Sequence, residues 1–272
     1  MLICFTDLDG TLLNHDDYRY DAAIPVIQKL QQAGVPIIPN TSKTRAEVID
    51  LRQALGLTDP FVVENGSGIF LETTDQRFDL SCEPLNEQLK QKILGLTYAQ
   101  ALSAVAQLGQ SLGTPLKGFG TMTTDEVKAA TQLPDEDLKR ACDREFSEPF
   151  IRPENISVEA LQNWAEQNQY QILVGNRFCH MLGQKAGKGQ AIHTLKLAYR
   201  TTESITTVGL GDSPNDISML EAVDIPIVIP GKNGPHPQLN RPAWTIAPSM
   251  GAQGWAAAMT EIAQKYEIWD AA

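Results

Sequence analysis

Residues 3–13 read ICFTDLDGTLL: a run of β-formers, then Asp7-Leu8-Asp9, then Gly10 and Thr11. Two carboxylates two positions apart, just where an apolar strand stops, repel one another unless something of opposite charge stands between them. ICFT (3–6) predicts a strand. Downstream, Ala23, Ile27 and Leu30 recur at helical spacing from Ala22 to Ala33, with Gly34 in the position that ends a helix. VPIIPN (35–40) follows as a short strand. Thr44 and Glu47 then form a capping box that opens a helix to about Leu55. PFVVEN (60–65) is a third strand, and GIFLE (68–72) forms a hairpin with it across Gly66-Ser67.

The same alternation returns late in the chain. A helix spans Gln190 to Leu197, a strand 204–211, a helix Pro214 to Val223, strands 225–230 and 243–247, and a closing helix Gly251 to Tyr266. Strands alternating with helices imply right-handed crossovers and an α/β fold with a doubly wound, mostly parallel sheet. Between 83 and 186 the texture changes to Gln-rich helices with short strand candidates at 115–119, 148–151, 171–174 and 177–182. This stretch reads as an inserted α+β domain, so that 1–82 and 187–272 form the core and 83–186 a cap. The alternative is one continuous domain.

Composition narrows the function classes. Hydrophobic content of 42% is ordinary for a chain that folds around its own core. No run of 18 apolar residues crosses a membrane, and the first apolar run meets Asp7 too soon for a secretory signal. Cys4, Cys82, Cys142 and Cys179 are scattered without a metal-binding rhythm, which fits reduced thiols and a cytoplasmic setting. A net charge of −11 without a basic cluster argues against nucleic-acid binding. An acidic protein that takes an anionic ligand needs local positive charge or a metal.

Ligands of open α/β sheets sit at the carboxyl ends of the strands. Three predicted strand ends carry polar clusters: Asp7 and Asp9, then Asn40-Thr41-Ser42-Lys43, then Gly211-Asp212 followed by Asp216. Lys188 opens the helix before the last of these strands. Carboxylates from two strand ends make an oxygen-only site suited to Mg2+. With i and i+2 spacing on an extended segment, Asp7 and Asp9 lean the same way and address one phosphorus atom. One attacks while the other protonates the leaving oxygen.

DLDGT (7–11), Thr41, Lys188 in AGKGQA and GDSPND (211–216) resemble, in order, the four signature motifs of the haloacid dehalogenase superfamily of phosphatases. TSKTR (41–45), VVENGSGIFL (62–71), REFSEPF (144–150) and GNRFCHMLG (175–183) are similar to its mannosyl-3-phosphoglycerate phosphatase branch. Branches acting on glucosyl-3-phosphoglycerate, sucrose phosphate and hexose phosphates share the core motifs. The resemblance implies a Rossmann-like core with a type-2 cap and a Mg2+-dependent phosphomonoesterase. It makes Asp7 the nucleophile, Asp9 the general acid and base, and Thr41, Ser42 and Lys188 the phosphate-binding groups. It assigns the metal to Asp7, Asp9 (through its backbone carbonyl), Asp212 and Asp216. The implied ligand is a phosphorylated sugar-glycerate.

Several residues have plainer readings. Asp216 also fits the third position of a helix capped by Ser213, with Pro214 first. Lys43, Arg177 and His180 are candidates for the glycerate carboxylate and the sugar, yet Arg177 and His180 would fall on opposite faces of one strand. Glu64-Asn65-Gly66 is a turn signal that also suits a supporting role beside the site. GQKAGKGQ (183–190) imitates a phosphate-binding loop, but its first glycine is misplaced and Gly189 stands where Ser or Thr is required. Phosphoryl transfer without hydrolysis and a non-catalytic phospho-ligand sensor remain the competing functions on this fold.

Overall fold

The structure is a computed structural model describing residues 1–175 and 177–269. Its centre is β1 (Leu2–Thr6), every residue of which is buried. Leu2 and Cys4 pack on one side of the sheet with Ile27 and Leu30 of α1 (Ile24–Gln32). Ile3 and Phe5 point to the other side. A strand covered on both faces needs the near-continuous apolar run that opens the chain.

β2 (Ile37–Pro39) pairs parallel to β1 and leads into α2 (Arg45–Leu55), which begins with the expected Thr44–Glu47 capping box. β3 (Phe61–Val63) and β4 (Gly68–Glu72) form the hairpin read from sequence. β5 (Glu83–Pro84) and β6 (Leu89–Ile93) continue that antiparallel sheet in the order β3-β4-β6-β5. A single parallel bridge between Asn40 and Val62 links it to the central sheet.

The insert then supplies α3 (Tyr98–Ser111), α4 (Thr124–Thr131), α5 (Asp135–Cys142), β7 (Glu148–Ile151), α6 (Val158–Gln167), β8 (Tyr170–Val174) and β9 (Phe178–Gly183). Its three strands pair antiparallel in the order β7-β9-β8. Leu108 and Ala104 of α3, with Leu161 and Ala165 of α6, fill one face of that sheet against Phe150, Ile172, Cys179 and Met181. The strand expected at 115–119 is not formed. Only Gly118 bridges Phe150, while Lys117 and Phe119 exchange backbone hydrogen bonds with Ile151 and Pro149.

The chain returns through α7 (Lys188–Ala198), β10 (Thr206–Gly211), α8 (Ile217–Ala222), β11 (Ile225–Val228), β12 (Thr245–Ile246) and α9 (Gly251–Lys265). The helix expected from Pro214 starts as one 3-10 turn, 214–216, before α8. Ile192 and Leu195 of α7 and Met219 of α8 cover the Ile3/Phe5 face, and Trp255 and Met259 of α9 cover the other. The central sheet is wholly parallel, in the order β12-β11-β10-β1-β2. Connections leave β1 toward β2 and leave β10 toward β11. The direction therefore reverses between β1 and β10, the point at which such sheets open a crevice. Among the described residues no helix is long and apolar enough to cross a membrane.

Candidate active site

Asp7 is the first residue past β1, and its N–H still donates to the carbonyl of Leu210 on β10 at 2.9 Å. The carboxylate thus sits at the reversal point. Lys188, the first residue of α7, is fully buried; its Nζ lies 2.6 Å from Oδ1 of Asp7 and 2.6 Å from Oδ1 of Asp216. Oδ2 of Asp216 accepts the backbone N–H groups of Asp212 and Ser213, both at 3.1 Å. Asp216 therefore caps the 3-10 turn and stands beside Asp7 and Asp212.

Asp7, Asp212 and Asp216 each offer an oxygen, and these lie within 4.8 Å of one another. Glycines permit the crowding. A Cβ on Gly10, whose φ is +77°, would stand 2.5 Å from Oδ2 of Asp212, and one on Gly211 would meet Cβ of Asp216 at 2.5 Å. Burial pushes the Asp7 carboxyl up to about 7; Lys188 opposes that rise and Asp216 adds to it. Burial, then Asp7 and Asp216, push Asp212 up to about 8. Burial alone would pull the Lys188 ammonium down, but the carboxylates of Asp216 and Asp7 outweigh it and hold it above its ordinary value. The cluster is short of positive charge, and its all-oxygen donor set fits a hard divalent cation.

The Asp9 side chain lies apart from this cluster. β1 ends at Thr6, and Leu8 lies in a turn between the two aspartates. Oδ2 of Asp9 lies 3.0 Å from Nζ of Lys43 rather than in the acidic cluster. Lys43 in turn reaches Glu47 at 3.3 Å and packs over the ring of Tyr18. Burial pulls the Lys43 ammonium down, but Asp9 and Glu47 more than offset it, so the net shift is upward.

Thr41 is buried at the end of β2, and its hydroxyl accepts the N–H of Lys43 at 3.2 Å. Asn40 donates to the carbonyl of Lys188 at 3.0 Å, tying that strand end to the start of α7. Gly10, Ser42, Asn65, Asp212 and Asn215 line one wall of a cleft of 2210 Å³, and residues of the insert line the other. That exceeds the usual range of small-ligand pockets, about 300–1,000 Å³.

The haloacid dehalogenase-like hydrolase family profile matches residues 4–236. The chain belongs to this family. It is 37% identical over 268 residues to the glucosyl-3-phosphoglycerate/mannosyl-3-phosphoglycerate phosphatase of Persephonella marina, an alignment covering 98% of each chain. It is 31% identical over 230 residues to the mannosyl-3-phosphoglycerate phosphatase of Pyrococcus furiosus, covering 84% of this chain and 90% of that one. The structure of a haloacid dehalogenase-like hydrolase from B. subtilis superimposes with a TM-score of 0.64 at 18% identity, over 96% of this chain and 100% of the other.

The insert meets the other expectations of this haloacid dehalogenase-like chain unevenly. His180 on β9 alternates with Cys179 and Met181, which face the helices, so its imidazole faces the cleft. Its Nδ1 is buried without a hydrogen-bond partner among the described residues, and burial, helped by Arg144, pulls the ring down to about 3. Arg177 is not brought to the cleft. It is exposed, and its guanidinium donates to the carbonyl of Ala130. Arg152 and Gln162 line the cleft instead, and sequence reading missed both. Period-2 counting along the β9 stretch separated Arg177 from His180; nothing local marked Arg152, which follows the edge strand β7.

Proposed function

We propose that this phosphatase of the haloacid dehalogenase-like family hydrolyses mannosyl-3-phosphoglycerate, and its glucosyl analogue, through an aspartyl-phosphate on Asp7. The observation that carries the reading is the buried Asp7–Lys188–Asp216 ion triad at the reversal point of the sheet, beside Asp212, which lines the cleft. The relative from Persephonella marina, whose name carries both substrates, supports the substrate assignment across nearly the whole chain.

The donor set fits Mg2+: Asp7 and Asp212 would hold it, with Asp216 behind them because both its oxygens are already engaged. When bound, Mg2+ neutralises the phosphate charge that would otherwise repel an attacking carboxylate. Lys188, Thr41 and Ser42 bind the phosphoryl oxygens. An oxygen of Asp7 attacks phosphorus as the bond to the glycerate oxygen breaks, and Asp9 gives that oxygen a proton. Asp9 then takes a proton from water, whose oxygen attacks phosphorus and returns Asp7 as carboxylate. His180, Arg152 and Gln162 lie where the sugar and glycerate would contact the cleft.

We take the cap as the unit built on β7-β9-β8 with α3 to α6; β5 and β6 pair with β4 and go with the core side. Such a unit covers the cleft and excludes water from the phosphoenzyme. We also propose a cytoplasmic location for this activity.

Release of inorganic phosphate from mannosyl-3-phosphoglycerate, glucosyl-3-phosphoglycerate, sucrose phosphate and simple hexose phosphates, with and without Mg2+, tests this. The expected result is Mg2+-dependent release, fastest with the two glycosyl-3-phosphoglycerates. Equal turnover of all substrates would remove the substrate assignment, and transfer without net phosphate release would remove the hydrolase.

A further inference from the structure

Glu64 is fully buried and holds a left-handed backbone, with φ of 48°, at a residue type that rarely adopts it. Its carboxylate rests in a cradle on the insert. The N–H of Glu145 donates to Oε1 at 2.8 Å; those of Phe146 and Ser147 donate to Oε2 at 3.2 and 2.8 Å. The Ser147 hydroxyl adds a fourth bond at 2.7 Å, and Nε of Arg144 lies 3.4 Å away.

The same elements grip the backbone next to the phosphate-binding groups. Glu64 N–H donates to the carbonyl of Lys43 and Asn65 N–H to that of Thr41, both at 2.9 Å. Arg144 Nη2 donates to the carbonyl of Ser42 at 3.3 Å and to the Ser147 hydroxyl at 2.9 Å. Close by, Arg45 forks onto Glu145, and the Thr44 hydroxyl donates to the carbonyl of Arg140 at 2.7 Å. Neither Glu64, Arg144 nor Ser147 lines the cleft.

We propose that Glu64 and Arg144 are positioning residues that lock the 144–147 segment, and through it the β7-β9 wall of the cleft, to the 41–43 backbone. The cost of the left-handed backbone at Glu64 is offset by the hydrogen bonds it aims. The lock sets the distance between the sugar-facing wall and the phosphate site, so it matters to a ligand that touches both and not to one that fills the phosphate site alone.

This rests on the phosphatase reading, and the test separates the two. Steady-state kinetics of the full chain with Mg2+ compare mannosyl-3-phosphoglycerate with p-nitrophenyl phosphate. Glu64→Gln, isosteric but unable to accept all four bonds, and Arg144→Lys are each expected to raise KM for the glycosyl substrate by about tenfold. Both should leave kcat, and kcat/KM for the aryl phosphate, within about threefold. Ser147→Ala, the mildest change, should move the same KM in the same direction. In the wild-type protein the amides of Glu145, Phe146 and Ser147 should be strongly protected from hydrogen exchange. A parallel loss on both substrates, no change on either, or free exchange at these amides would overturn the lock. Failure of the wild-type protein to turn over either substrate would instead overturn the phosphatase reading.

Discussion

Lys188 Nζ stands 2.6 Å from Oδ1 of Asp7, so the proposed nucleophile and the cation proposed to bind the phosphoryl group are paired across the sheet's reversal point. The pair is completely buried on the lysine side, and a second carboxylate, Asp216, holds the ammonium from behind. The two contacts hold the ammonium between the carboxylates. In the proposed reaction the ammonium stands beside the attacking carboxylate, where negative charge grows on the phosphoryl oxygens.

Replacement of Lys188 by Met tests that placement. It removes one transition-state cation and leaves Asp7 and Asp216 facing each other without it. Loss of one such donor costs about 10²–10³ in kcat. Stripping one partner from a buried ion pair costs about 3–5 kcal/mol of stability. Steady-state rates at saturating Mg2+ and urea melts of the same preparation measure the two effects separately.

Stability of the metal-free protein should fall as pH rises. Asp7 and Asp212 are raised from 3.8 to about 7 and about 8, burial being the largest cause for each. A carboxyl raised on folding binds more protons in the native than in the unfolded state. Its contribution is therefore present below its unfolded value and is lost as pH climbs through about 7 to 8. A divalent cation competes with those protons, so its stabilisation should grow over the same window. Thermal melts in chelator and in Mg2+, at about pH 5 and about pH 9, are expected to show a larger Mg2+ shift at the higher pH. Asp212→Asn should shrink the difference. An Mg2+ shift independent of pH would contradict the cluster as the binding site.

Much of this site was legible in the chain because its residues mark strand ends. Asp7 and Asp212 follow apolar runs that become adjacent parallel strands, and Lys188 opens a helix against the natural preference for anions there. Capping chemistry located α2, and Gly34 and Gly56 close α1 and α2 in the left-handed conformation, as a helix-ending glycine does. Local pattern failed where the chain is neither helix nor strand. Asp9 pairs with Lys43 past a turn at Leu8, which a period-2 count cannot register. The cradle for Glu64 joins residues on opposite sides of the insert's helices, and no local periodicity pairs them.

Asp9→Asn should separate the two chemical steps. The amide keeps the size of the carboxylate and leaves Asp7, Lys188 and Asp212 in place, but it neither gives nor takes the proton. Loss of a positioned acid–base group costs about 10²–10⁴ in rate. The first step should suffer less with a leaving group that departs unprotonated, such as dinitrophenolate. The second step needs a base for every substrate. Rapid-quench experiments with dinitrophenyl phosphate should therefore show a burst of dinitrophenol and one phosphoryl group added to the intact mass, on the peptide that carries Asp7. A rate equal to that of the wild-type protein would remove Asp9 from the mechanism.

Gly66→Ala should be among the most destabilising single substitutions in the chain. Gly66 has φ of +85°, and a Cβ there would stand 2.1 Å from the carbonyl carbon and oxygen of Gly187. Gly187 N–H faces the Gly66 carbonyl at 3.4 Å, so the two backbones run in contact just before Lys188. Backbone cannot retreat as a side-chain tip does, and moving Gly187 moves the ammonium that faces Asp7. Left-handed strain alone costs about 1–2 kcal/mol for a residue with a Cβ, and the clash adds to it. The expected outcome is a melting temperature lowered by more than about 4 °C, taking about 2–4 °C per kcal/mol for a chain of this size, together with a fall in kcat. Gly34→Ala is the control: its φ is +73°, but a Cβ there meets nothing within 4 Å. It should lose only the strain and keep full activity. Equal effects of the two substitutions would show that the contact between Gly66 and Gly187 does not hold Lys188 in place.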